Sequence, residues 1–221
     1  MNIAFKKLRE LNPHVDIHST SNSEFHRYGR IHRQFDTREV INFLTANSQT
    51  PEKLSGYITS VPELEDLTKL KKDISQQLYG GMPIQIGACC GHNTCFKAFE
   101  YHKGNEVILA ATDFVTLLGS YEDIIEINGT FSYDLRNIKA FFVESGSVIE
   151  LFQSTLHYEP IHVRESDGYL TCIILPYGTN TPLDFSISPT RENNLLTLRN
   201  TWLLTSTAFT GESIEITPID T

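Results

Sequence analysis

From Pro83 onward the chain breaks into short β-rich runs, and this punctuation limits the possible folds more than any other feature. IQIGACC, CFKAFEY, EVILAA, FVTLLG, KAFFV, SVIELF, YLTCIIL and TWLLTST are separated at short spacings by Gly, Asn, Asp, Ser and Pro. Strand-length runs with turn chemistry between them predict an all-β sandwich or barrel. The first eighty residues read differently. Asp36-Thr37-Arg38-Glu39 has the form of a capping box ahead of VINFL, which predicts a helix over 37–46. Leu67, Leu70, Ile74 and Leu78 recur at helical spacing and predict a second helix ending at Gly80-Gly81. A shorter helix is expected over 23–28, stopping at Gly29, with a short strand in GYITSVP. The expected organisation is mainly β. A mixed α/β lead-in, residues 1–82, packs on a β-barrel, residues 83–221, as one compact unit.

The 221 residues are enough for one sizeable core. A net charge of −9 argues against a generic binder of phosphate backbones, though a locally basic site is compatible with it. Basic residues are not interleaved with aromatics in a stripe, so no nucleic-acid partner is expected. Arg27 and Arg30 read as decoration of the lead-in. No apolar run approaches the ~20 residues of a membrane helix, and MNIAFKKLRELNP lacks the apolar core of a signal peptide. Cys89, Cys90, Cys95 and Cys172 match neither a zinc-ribbon spacing nor a disulfide scaffold. Reduced thiols and a cytoplasmic location are expected. Phosphate loops of the Walker or dinucleotide type and the Gly-x-Ser-x-Gly elbow do not occur.

The chemistry concentrates in AFEYHKGNEVILAA. Alternate side chains of a strand share a face, so Glu100 and His102 point one way, with Phe99 and Tyr101 opposite. The Lys103-Gly104-Asn105 turn can return the chain and deliver Glu106 to the same cavity. His157, in STLHYEP, ends another apolar run. Two carboxylates and two imidazoles form an O/N donor set suited to a divalent cation such as Mn, Fe, Ni, Co or Zn. Glu100, His102, Glu106 and His157 are therefore the expected metal ligands, although Glu100 is equally suited to act as a base.

Other positions carry weaker signals. His92 and Asn93, in the loop before the motif strand, are candidates for substrate contact at the cavity mouth. So are Lys103 in the turn and Gln85 on the alternate face of IQIG. Glu150, in SVIELF, is the candidate general base, with an outward-facing strand carboxylate as its plain alternative.

Glu-x-His-x3-Glu, the turn at Glu144-Ser145-Gly146 and the later His157 resemble the two motifs of the cupin superfamily. Glu100 stands where the first motif usually has His, and Glu144 where the second usually has Pro. The resemblance spans roughly residues 80–185 and implies a cupin-type β-barrel, a double-stranded β-helix. GGMPIQIG, GHN, EYHKGNE, LHYEP and PYGTNTPL also look like blocks of an uncharacterised bacterial cupin-like family associated with carbohydrate use. EFHRYGRI, with the Glu-x-His strand, is similar to ureidoglycolate lyases. These resemblances imply a metal-dependent enzyme for a small hydroxylated substrate, a sugar or sugar-acid isomerase or epimerase, working as a homodimer. A ureidoglycolate-lyase-like lyase and a non-catalytic sugar-binding cupin stand as the alternatives.

Overall fold

The computed structural model describes residues 2–47, 56–188 and 191–220. Two sheets face one another. The first contains β1 (Ile17–Ser19), β7 (Phe114–Ser120), β10 (Lys139–Val143), β12 (Thr155–Leu156) and β13 (Ile161–His162). The second runs β2 (Gly29–His32), β11 (Val148–Leu151), β6 (Glu106–Ala110), β14 (Tyr169–Pro176), β4 (Ile84–Gly91) and β3 (Gly56–Ile58). All eight runs read from the sequence contain strands, including β5 (Phe99–Tyr101) and β16 (Thr201–Leu204). These two pair with each other, and β15 (Leu196–Leu198) completes a three-stranded sheet. A last small sheet joins β8 (Ile125–Ile127), β9 (Thr130–Asp134) and β17 (Phe209–Thr210). The architecture is mainly β, two facing sheets with helical cover, as expected of a β-barrel.

Strand parity sorts the side chains into layers. Between the large sheets lie Phe114, Leu118, Phe141, Ile149, Leu151 and Ile173. Behind the second sheet, Val107, Leu109, Val148 and Ile174 meet Val40, Leu44, Leu64 and Ile74 from the helices. Those helices are α2 (Arg38–Asn47), α3 (Pro62–Glu65) and α4 (Thr68–Leu78). Behind the first sheet, Val115, Leu117 and Phe142 pack on Ala4, Phe5 and Leu8 of α1 (Ile3–Leu11). Central strands are thus buried on both faces. This is why EVILA reads as a continuous apolar run rather than an alternation.

Two expected helices form close to their predicted limits. The second stops where Gly80 and Gly81 take positive φ (61° and 86°) and the Gly81 amide bonds back to the Ser75 carbonyl. Residues 23–27 form a 3-10 turn rather than an α-helix. Helix α1 was not expected. It is capped by Asn2, whose side chain accepts from the amides of Ala4 and Phe5. The strand expected in GYITSVP forms as β3, and the lead-in is more β than its texture implies, since β1 and β2 also join the large sheets.

Phe141 is fully buried, with its ring 5.2 Å from that of Phe25 and 5.7 Å from that of Tyr28. Phe141→Ala is expected to cost about 3–5 kcal/mol, read as a lowered urea midpoint with an unchanged m-value.

Candidate metal centre

Parity sends Glu100 away from Phe99 and Tyr101, which are buried in the apolar layer. His102 follows directly after β5, and the turn through Gly104 is packed closely. A Cβ on Gly104 would lie 2.8 Å from Pro176 Cγ. The turn hands the chain to Glu106, the first residue of β6, on the same inward face as Ile108. His157 arrives from the far side. Its backbone exchanges both hydrogen bonds with Glu100, at 2.7 and 3.0 Å. That bridge ties the two polar segments together.

The four side chains converge. Glu106 Oε2 lies 3.1 Å from His157 Nε2 and 3.3 Å from His102 Nε2. Glu100 Oε1 is 4.0 Å from His102 Nε2. Donor atoms of Glu100, His102 and His157 fall within 4.8 Å of one another. Donors bound to one first-row cation at about 2.1 Å sit about 3.0–3.4 Å apart, so the Glu106–imidazole spacings are already of that order.

Both rings are held in the tautomer that ligation needs. His102 Nδ1 faces the Asn200 carbonyl oxygen at 2.9 Å, and His157 Nδ1 faces that of Thr155 at 3.0 Å. A carbonyl oxygen only accepts, so each Nδ1 carries the proton and each Nε2 can turn a lone pair to the site. His102 Nε2 is buried and makes no hydrogen bond among the described residues. Such an orphan in a carboxylate–imidazole cluster fits a cation. Burial opposes ionisation of Glu106, but the imidazoles outweigh it and bring its pKa down to about 2. Burial likewise opposes charge on His157, yet Glu106 outweighs it and raises that ring to about 9. Glu100 keeps a raised pKa, because desolvation exceeds its attraction to the imidazoles.

A cavity of about 370 Å³ opens onto Glu100, Glu106 and His157. Its other polar walls include Tyr57, Thr59, Tyr158 and Asn180. Tyr57 and Asn180 escaped the sequence reading, since each lies far along the chain from the motif. Asn180 takes positive φ (63°), which few non-glycine residues do, but that signal appears only in the fold. Cys89 also lines the cavity. Burial pushes its thiol up to about 12, so it stands as a small apolar wall residue.

The remaining candidates sit elsewhere. Glu150 requires a correction. It pairs with Val107 across the sheet, and so projects on the face opposite to Glu106. There His32 Nε2 and Asn105 Nδ2 bind its two oxygens at 2.8 and 2.6 Å. It does not reach the cavity as a base. His92 Nε2 faces the Glu165 carbonyl oxygen, and its ring rests on His162, while Asn93 is buried with its side-chain amide donating to the Pro160 carbonyl. Neither lines the cavity. Lys103 donates to Glu192 at 2.7 Å, and its ammonium lies 5.0–5.5 Å from the rings of Trp202, Tyr101 and Tyr121. Gln85 accepts from the Gly178 amide and donates to the Thr179 carbonyl, holding the loop that carries Asn180.

Solved structures with a related outline are distant. An oxalate decarboxylase structure aligns over 60% of this chain at 8% identity with a TM-score of 0.36. A structure concerned with the Mn(II) centers of Bacillus subtilis oxalate decarboxylase aligns over 59% at 10% identity and 0.32. The chain spans 28% of the length of each. The non-heme alpha ketoglutarate dependent epimerase SnoN from nogalamycin biosynthesis aligns over 85% of this chain and 93% of its own, at 12% identity and 0.39. Likenesses this weak assign no chemistry. No curated protein matches the chain, and no described helix is long and apolar enough to cross a membrane. One family model matches residues 17–213, nearly the whole chain, and on that match the protein belongs to the family described as Domain of unknown function (DUF4867).

Proposed function

We propose that the protein is a metal-dependent cupin enzyme acting on a small hydroxylated substrate, as an isomerase or epimerase of sugars or sugar acids. The observation that carries the reading is the meeting of two Nε2 atoms and a Glu106 oxygen at 3.1–3.3 Å beside a cavity. His102, His157 and Glu106 would hold the cation, with Mn, Fe, Ni, Co or Zn all compatible with the donor set. A bound divalent cation supplies Lewis-acid polarisation of a substrate carbonyl.

The protein's own groups do the rest. Glu100 stands at the edge of the cluster, with its carboxyl pKa raised by burial. We assign it the base that removes the proton α to the carbonyl and returns it on the same face to the neighbouring carbon, while the hydroxyl proton passes to the former carbonyl oxygen. The hydroxyls of Tyr57, Thr59 and Tyr158 and the Asn180 amide offer partners for a polyhydroxylated substrate.

The two carboxylates should separate experimentally. Glu106→Gln and His102→Ala are expected to lose the roughly one equivalent of metal that such a site holds. Glu100→Gln is expected to keep the metal and lose at least ~100-fold in kcat on an aldose–ketose or epimer pair. Full metal content and full turnover in Glu106→Gln would sink the assignment.

The cluster is also linked to pH. With its pKa raised from 6.5 to about 9, His157 stabilises the metal-free fold fully below pH 6.5, and that contribution fades as the pH rises through 9. Metal binding near pH 7 must displace this proton. Calorimetry in buffers of different ionisation heat should therefore show close to one proton released, with affinity rising up to about pH 9. Glu106→Gln should abolish the shift of the His157 ring seen by NMR. A His157 midpoint below 6.5 in the metal-free wild type would contradict the coupling.

A further inference from the structure

The segment His26-Arg27-Tyr28-Gly29-Arg30-Ile31-His32-Arg33 holds three arginines and two histidines in eight residues with no acid, in a chain of net charge −9. It borders two adjoining grooves of about 590 and 780 Å³, which share Thr20, Ser21, Ile31 and Arg33. His26, Arg30 and Phe152 complete the smaller one. Neither groove shares a lining residue with the carboxylate-rich cavity.

The smaller groove has no acidic residue in its lining. Arg30 lies over the Phe152 ring, 5.6 Å from its centre. Neither Arg30 nor Arg33 has an ion pair among the described residues. Of the acids close by, Glu144 lines the larger groove and accepts from Asn2, Glu150 accepts from Asn105 and meets His32, and Asp123 pairs with Arg27 at 3.8 Å. A second observation is independent of charge. Thr20 is only 7% exposed, and it lines both grooves.

We infer that this groove binds a phosphate-type oxyanion, either inorganic phosphate or the phosphate group of a monoester. Arg30 and Arg33 present forked N–H donors that match tetrahedral oxyanions, and Thr20 and Ser21 line the same groove. Binding relieves the repulsion of like charges along one groove.

The test is calorimetric titration at low ionic strength with inorganic phosphate and, separately, with a hexose 6-phosphate against the parent hexose. Saturable binding is expected, weakened at least tenfold in the double variant Arg30→Gln/Arg33→Gln and unchanged in Lys72→Gln, an exposed control on α4. Tighter binding of the ester would identify a phosphorylated metabolite, whereas equal binding would identify free phosphate. Either result supports the site. Equal heats from chloride at matched ionic strength, or undiminished phosphate binding by a double variant that melts like the wild type, would overturn it.

Discussion

A carboxylate enclosed by protein must be paired, because the desolvation cost of an isolated charge is several kcal/mol. Glu106 sets this constraint at the start of β6, where it is 6% exposed at the entrance to an otherwise apolar strand. Two imidazoles meet it, and each is aimed by a carbonyl from outside the cluster. One carbonyl belongs to Asn200, at the turn before β16, and the other to Thr155 in β12. The small β5–β15–β16 sheet is therefore part of the site's support as well as barrel cover. Its turn residue Asn200 also accepts from the Lys103 amide, beside the ring it orients.

The layered architecture explains why the cavity lies where it does. Both faces of the second sheet are covered, one by the first sheet and one by α2, α3 and α4. Polar side chains survive in such a sheet only where they can be paired. Glu106 achieves this on the inner face and Glu150 on the outer face, so neighbouring strands carry two buried carboxylates with unrelated partners. Their separation follows from the pleat alone.

The electrostatic pattern is correspondingly divided. Carboxylates gather around the imidazoles at the cavity, while arginines gather along the groove beside β2. A net charge of −9 averages over both and describes neither. Local fields, rather than the total, decide which ligand each concavity attracts.

Much of this was legible in the chain. The eight β-rich runs and the turns between them carry their own local chemistry, as do the helices near residues 38 and 68. The alternation of Phe99, Glu100, Tyr101 and His102 is enough to put Glu100 and His102 together, since adjacent residues in a strand oppose one another whatever lies beside them. The orientation of Glu150 relative to Glu106 was not legible. It depends on the pairing of β11 with β6, and strands apolar on both faces show no alternation from which parity can be read. The carbonyls that fix the two imidazoles, the Asn180 and Tyr57 walls, and the groove uniting Thr20 with Arg30 and Arg33 were beyond reach for the same reason. Sequence alone determined the eight β-rich runs and the parity that puts Glu100 and His102 on one face, because those are properties of neighbours along the chain. Tertiary structure decided which of them meet, because register across distant strands is set by packing.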